Sequence, residues 1–163
     1  MKKPKMRKRT ATPRLRAGIY TAYDVMKEVL RLGREEKRRI DMGWWVDMYR
    51  GKVPPDGARH EHAPACGTVA CLGGWGNIIT GNYPRYEYGH RLLDALFGEM
   101  DYDVRVREEL DALFGSGNLP ATEALKQLAV ILKDHKPELQ EHRVRVFGAK
   151  SGRLPLYLGK EAA

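Results

Sequence analysis

Apolar residues recur with helical spacing along most of this chain. Val25, Met26, Val29, Leu30 and Leu32 share one face of a segment that the pattern predicts as a helix over 21–39. Thr21 is suited to cap it, with Asp24 three residues on in a weak capping box, and the cations from Arg34 to Arg39 suit its C-terminal end. That charge run reads as a solvated helix face. Asp41 then caps a short predicted turn holding Trp44, Trp45 and Met48, with the paired tryptophans locking the segment onto the core. Gly51, Pro54, Pro55, Gly57 and Pro64 make residues 50–65 a loop.

The stretch from Cys66 to Gly76 holds two cysteines, four glycines and a tryptophan, and no charge. It reads as the buried start of a helix capped by Thr68, running to about Thr80 and closed by Gly81 and Asn82. Gly73, Gly74 and Gly76 each cost such a helix about 1 kcal/mol relative to Ala. Close packing must offset that cost, with the Trp44 and Trp45 segment as the expected neighbour.

Two short amphipathic helices follow a tyrosine-rich link around Pro84. Both end in the same string, Asp94-Ala95-Leu96-Phe97-Gly98 and Asp111-Ala112-Leu113-Phe114-Gly115, with glycine expected just past each end and Asp103 capping the second. Leu125, Leu128, Ala129, Ile131 and Leu132 mark a further helix opened by Pro120 and ended by Pro137. Residues 138–147 allow two readings: another short helix started by Pro137, or a strand over the alternating Val144-Arg145-Val146-Phe147. Leu154, Leu156, Tyr157 and Leu158 suggest that part of the last segment docks on the body.

The expected fold is therefore mainly α. It is a compact single-domain helical fold over 17–147, with a flexible arm at 1–16 and a C-terminal tail at 148–163. Its C-terminal segment is irregular, with a short strand as one option. No apolar run approaches the roughly 20 residues that span a bilayer, so no membrane partner is expected. The basic start lacks the apolar stretch of a secretory signal, and Pro4 and Pro13 oppose the amphipathic helix of a transit peptide. Two cysteines without an export signal fit a reducing cytoplasm.

Charge changes this picture most. The formal net charge is +8, and it is not spread evenly. Lys2, Lys3, Lys5, Arg7, Lys8, Arg9, Arg14 and Arg16 stand in one block without an acid. These are eight of the 29 basic residues, and the 21 that remain face 21 acids. A balanced body thus carries a cationic arm. Such an arm either solubilises the chain or tracks phosphate, releasing counterions whatever the base sequence. Its expected partner is nucleic acid or an acidic protein surface, and the composition does not separate DNA from RNA or from protein.

Zinc chemistry has one candidate set, His60, His62, Cys66 and Cys71, because imidazole and thiolate are its preferred ligands. The spacing matches no standard finger or ribbon, and two thiols five residues apart along a helix need not converge. Buried cysteines acting as small apolar residues are the preferred reading, so no cofactor is expected. A disulfide between them would need a bend at Gly67 and an oxidising compartment. A Cys66 thiolate with His60 or His62 as base is a further option, but no orienting group or oxyanion donor can be assigned to it. There is no phosphate-binding GxxxxGK[ST] loop, no HExxH and no GxSxG. Glu108 and Glu109 sit on an exposed helix face and need no catalytic role.

The central run resembles an uncharacterised bacterial and phage protein family with a CGTxACxxGW motif, matched by Cys66, Gly67, Thr68, Ala70, Cys71, Gly74 and Trp75. Ile40-Asp41-Met42 with Trp44 is similar to its upstream element, and Leu113-Phe114 to the end of its second downstream helix. The resemblance covers about residues 25–115. It implies a bacterial or phage origin and transfers no activity. The arm and the His60 and His62 pair lie outside the pattern. Three functions are thus expected, in descending order. The first is a non-enzymatic protein whose arm engages nucleic acid or a nucleoprotein complex. The second is a phage-type inhibitor filling an acidic groove of a host protein, and the third a zinc- or thiol-dependent enzyme.

Overall fold

The computed structural model describes residues 13–35, 40, 42, 46–47, 69–81, 90–98, 104–148 and 156–160. Among these the fold is mainly α, with a small antiparallel sheet beside the helices. A short strand β1 (Gly18–Thr21) runs straight into α1 (Ala22–Glu35). The turn between them is the capping box read from the sequence. The Thr21 hydroxyl oxygen accepts the Asp24 N–H at 3.2 Å, and the Asp24 carboxylate accepts the Thr21 N–H at 3.1 Å. Residues 36–39 of the expected helix lie outside the described residues.

Val46–Asp47 (β2) and Val69–Ala70 (β3) form an antiparallel pair. This corrects two expectations. Residues 46–47 are extended rather than part of a helical turn, and the next helix, α2 (Leu72–Thr80), begins after Cys71 rather than at Thr68. Pairing with β2 keeps Val69 and Ala70 extended, so the helix starts only where that ladder ends. Cys71 is the N-cap, its Sγ accepting the Gly74 N–H at 3.3 Å. Thr68, Trp44 and Trp45 lie outside the described residues. Among the described residues, Gly76 of this helix packs closely against α3 (His90–Phe97). A Cβ on Gly76 would stand 2.3 Å from a methyl of Leu92.

All nine residues of α2 are buried, with Trp75 at 1% exposure, and the helix ends at left-handed Gly81 as expected. Helix α3 is followed by α4 (Arg105–Phe114), α5 (Ala121–Asp134) and α6 (Lys136–Glu141). Val104 occupies the N-cap of α4 without a side-chain bond, and Asp103 lies outside the described residues. Pro120 stands at the N-cap of α5, one place before the first helical turn. Both readings of residues 138–147 hold in part. Pro137 lies in the first turn of α6, and β4 (Arg143–Val146) follows it.

Strand β4 is the middle of the three-stranded sheet β1-β4-β5, in which β5 is Leu156–Gly159. Its buried Val144 and Val146 face the helices. His142, fully buried, joins the C-terminal strand to this core. Its Nδ1 lies 2.8 Å from the Tyr157 hydroxyl, and its ring meets Phe97 edge-on at 4.9 Å. Arg107 of α4 closes the end of α3. It pairs with Asp94 at 2.6 Å and donates to the carbonyls of Gly98 and Leu93 at 3.0 and 3.3 Å, which satisfies carbonyls at a helix C-terminus with a buried cation. His135 pins α5 and α6 to α4, with its two ring nitrogens 3.0 Å from Glu109 and 3.2 Å from Glu138. Glu109 therefore has a structural partner that the sequence did not reveal. No helix among the described residues is long and apolar enough to cross a membrane.

Candidate functional site

Of the eight cations assigned to the arm, Lys2, Lys3, Lys5, Arg7, Lys8 and Arg9 lie outside the described residues. Arg14 and Arg16 are described, and they belong to the root by which the arm joins the body. Leu15 between them packs on the core, which orients its neighbours outward. Arg16 is exposed. The Arg14 backbone N–H donates to the Glu28 carboxylate at 2.8 Å, and the Arg14 guanidinium lies 3.8 Å from Glu35.

Glu28 is the organising group at this root. It is 7% exposed on α1, an environment a carboxylate enters only when well partnered. Arg31, one turn on, supplies that partnership through Nε at 2.9 Å and a second, parallel bond from its terminal nitrogen. Burial pushes the Glu28 carboxyl upward. The Arg31 bond, the Arg14 N–H and the two positive charges outweigh burial and hold it below the usual glutamate value. The same bond from Glu28 holds the Arg31 guanidinium above its usual value despite burial. Arg31 also stands 2.9 Å from Glu35. Arg14, Glu28, Arg31 and Glu35 thus form one cluster that docks the segment before β1 onto α1.

Beside the cluster, α1 and α5 diverge to leave an open cleft of about 670 Å³. The helices run antiparallel there: Gly33 of α1 meets Leu125 at the start of α5, and Tyr23 at the start of α1 meets Lys136 just past its end. Leu30 and Leu132 make an apolar floor. The rim is cationic. Lys27 and Arg34 come from α1, Lys133 from α5 and Lys136 from α6, and all four are exposed. Among the described residues none of the four is within ion-pair distance of a carboxylate. Tyr23 gathers two of them, with the Lys27 and Lys136 ammonium groups 5.9 and 5.3 Å from its ring centroid. Glu35 is the acid on this rim, and it already faces Arg31 and Arg14.

Sequence reasoning assigned the arm and passed over this cleft. A signal was present on α1, where Tyr23, Lys27, Arg31 and Arg34 stand at i, i+4, i+8 and i+11 along one helical edge. The partner cations, Lys133 and Lys136, come from two helices about a hundred residues later, and no local pattern connects them to α1.

Of the candidate metal set only Cys71 is among the described residues. Cys71 is buried at 4% exposure and its sulfur caps α2, while His60, His62 and Cys66 lie outside them. Among the described residues no group of three or more His, Cys, Asp or Glu side chains is placed to hold a metal ion. The thiol at the N-terminus of α2 is that of Cys71. Set against protein-family models, curated proteins and solved structures, the chain finds no match in any of the three.

Proposed function

We propose that this is a non-enzymatic binding protein of the cytoplasm, of bacterial or phage origin, whose basic N-terminal arm engages nucleic acid or a nucleoprotein complex. The observation that carries the reading is the segregation of charge. Eight cations without an acid precede a body in which 21 bases meet 21 acids. A polyanion is the partner that gains most from such a block, since each phosphate neutralised releases condensed counterions. The docking of Arg14 and Leu15 supports the reading further, because it starts the arm beside the cationic rim of α1.

The test keeps the full chain and its arm root. Lys2, Lys3, Lys5, Arg7, Lys8 and Arg9 are all replaced by Gln, and affinity for a generic duplex and for a single strand is measured across salt concentrations. Loss of the six charges is expected to lower the duplex salt slope by up to about 5. An unchanged slope and affinity would reject the arm as the binding element. Retained capture of an acidic polypeptide without oligonucleotide binding would instead point to a protein groove as the target.

A further inference from the structure

We infer that the cleft between α1 and α5 is a second anion site, built to hold the sugar–phosphate backbone of single-stranded nucleic acid. The inference rests on the polyanion reading of the arm but is carried by a different feature, the folded rim of the cleft. Lys27, Arg34, Lys133 and Lys136 converge on it from three helices with no carboxylate in ion-pair range among the described residues. Like charges brought together this way repel, and a helix surface ordinarily relieves such crowding with interleaved acids. Here the rim's acid, Glu35, is committed to Arg31 and Arg14. What gathers Lys27 and Lys136 is the π-face of Tyr23, which attracts cations without cancelling their charge. Among the described residues the charge of this rim is thus left without a counter-ion, which is the condition an anionic ligand meets.

Shape selects among anions. The cleft's 670 Å³ lies within the range of sites that enclose a ligand. Tyr23 and Arg34, eleven residues apart on α1, are separated by about 16 Å along the axis. An elongated, concave, cationic track with an apolar floor and an aromatic ring matches how single strands are held: phosphates on the rim, sugar and base faces inside. A duplex presents its phosphates on a convex surface and cannot enter such a cleft. Continuity with the arm strengthens the assignment. Arg14, at the described root of the arm, contacts Glu28 and Glu35 beside the end of the cleft that carries Arg34. One strand can therefore engage both, the second contact forming at high effective concentration once the first is made.

The decisive experiment compares three full-length proteins: wild type, the arm variant with its six substitutions to Gln, and a cleft variant carrying Lys27→Gln, Lys133→Gln and Lys136→Gln. Each is titrated with an oligothymidylate of about twelve nucleotides and with a duplex of the same length, over a range of salt. The three lysines are exposed, so the cleft variant is expected to keep the wild-type circular dichroism and melting temperature. Its affinity for the single strand is expected to fall at least tenfold, and the single-strand salt slope by about 2. Duplex affinity should change less than threefold. Wild-type single-strand binding in the cleft variant overturns the inference and leaves the arm reading standing. Equal losses on single strand and duplex overturn the single-strand assignment. Loss in the cleft variant with full binding by the arm variant supports the cleft and rejects the arm. Failure of the wild-type protein to bind either oligonucleotide overturns both.

Discussion

Helices α1 and α2 press into the same core but divide their surfaces differently. Every residue of α2 is buried and none is charged. Helix α1 buries Val25, Met26, Val29 and Leu32 on one side and carries Lys27, Arg34 and Glu35 on the other. From Cys71 to Gly76, the glycine- and tryptophan-rich run is thus interior structure. The helix with the more ordinary composition is the one that meets solvent with an organised charge. Unusual composition marked a place of close packing, because close approach is what demands small residues. The cationic rim on α1 rests instead on the arrangement of common residues drawn from separate helices, which local composition does not reveal.

The sharpest way to break this contrast is Trp75→Ala. Its side chain is 1% exposed among α2's neighbours, and truncation leaves a cavity that a close-packed core cannot collapse. A loss of about 3–5 kcal/mol is expected in urea unfolding at neutral pH. A loss under about 1 kcal/mol, the typical cost of an arbitrary substitution, would remove α2 from the centre of the fold.

Gly81→Ala should cost less, about 2 kcal/mol by the same measurement. Gly81 has φ of 83° and closes α2 with its N–H on carbonyls of the last turn. An added Cβ would stand 2.5 Å from the Gly148 carbonyl oxygen and 3.0 Å from the Phe147 Cβ. That backbone is itself tied down, since the Phe147 N–H donates to the Thr80 carbonyl at 2.9 Å. The strain is therefore not relieved by a side-chain rotation. A neutral result would mean that the α2 to β4 junction yields freely.

The smallest of the three effects lies on α1. Glu28→Gln removes a charge that two bonds from Arg31 and one from the Arg14 backbone stabilise, and about 1–2 kcal/mol should be lost at pH 7. Its pH dependence gives the better test. The Glu28 carboxyl is held below its ordinary value in the fold, so its stabilising contribution is complete above the ordinary glutamate range. That contribution fades as the pH falls through the depressed value. Wild type and variant should therefore differ most at neutral pH and converge in acid, as followed by melting temperature from pH 7 to pH 3. Parallel curves over that range would dissociate the arm root from the Glu28 charge.

Legibility varied with how local the responsible interaction was. The Thr21 and Asp24 box, the stop at Gly81 and the buried stripe of Leu125, Leu128, Ile131 and Leu132 were all readable, because each is settled within a turn or two of helix. The twin strings ending at Gly98 and Gly115 show where local reading stops. Both finish a helix, but Gly98 is left-handed at φ 83° while Gly115 stays in the helical region at φ −78°. The same five residues differ in what surrounds them. Arg107 takes the Gly98 carbonyl, and Tyr157 lies against Gly98, whereas Gly115 leads directly into the short link to α5. Strand β1 went unread because its partner, β4, lies more than a hundred residues further along the chain. The shift of the α2 cap from Thr68 to Cys71 has a similar origin in the pairing of β2 with β3.

By itself the sequence determined the helical character, most helix ends and the isolation of charge in the arm. Those follow from periodicity, capping chemistry and simple counting, all of which act over a few residues or over the whole composition. Only the tertiary structure decided that β4 sits between β5 and the distant β1, that Cys71 rather than Thr68 opens α2, and that lysines from α1, α5 and α6 share one rim. Each of these depends on which surfaces meet when the core closes, and burial, being non-directional, writes no partner's address into either sequence segment.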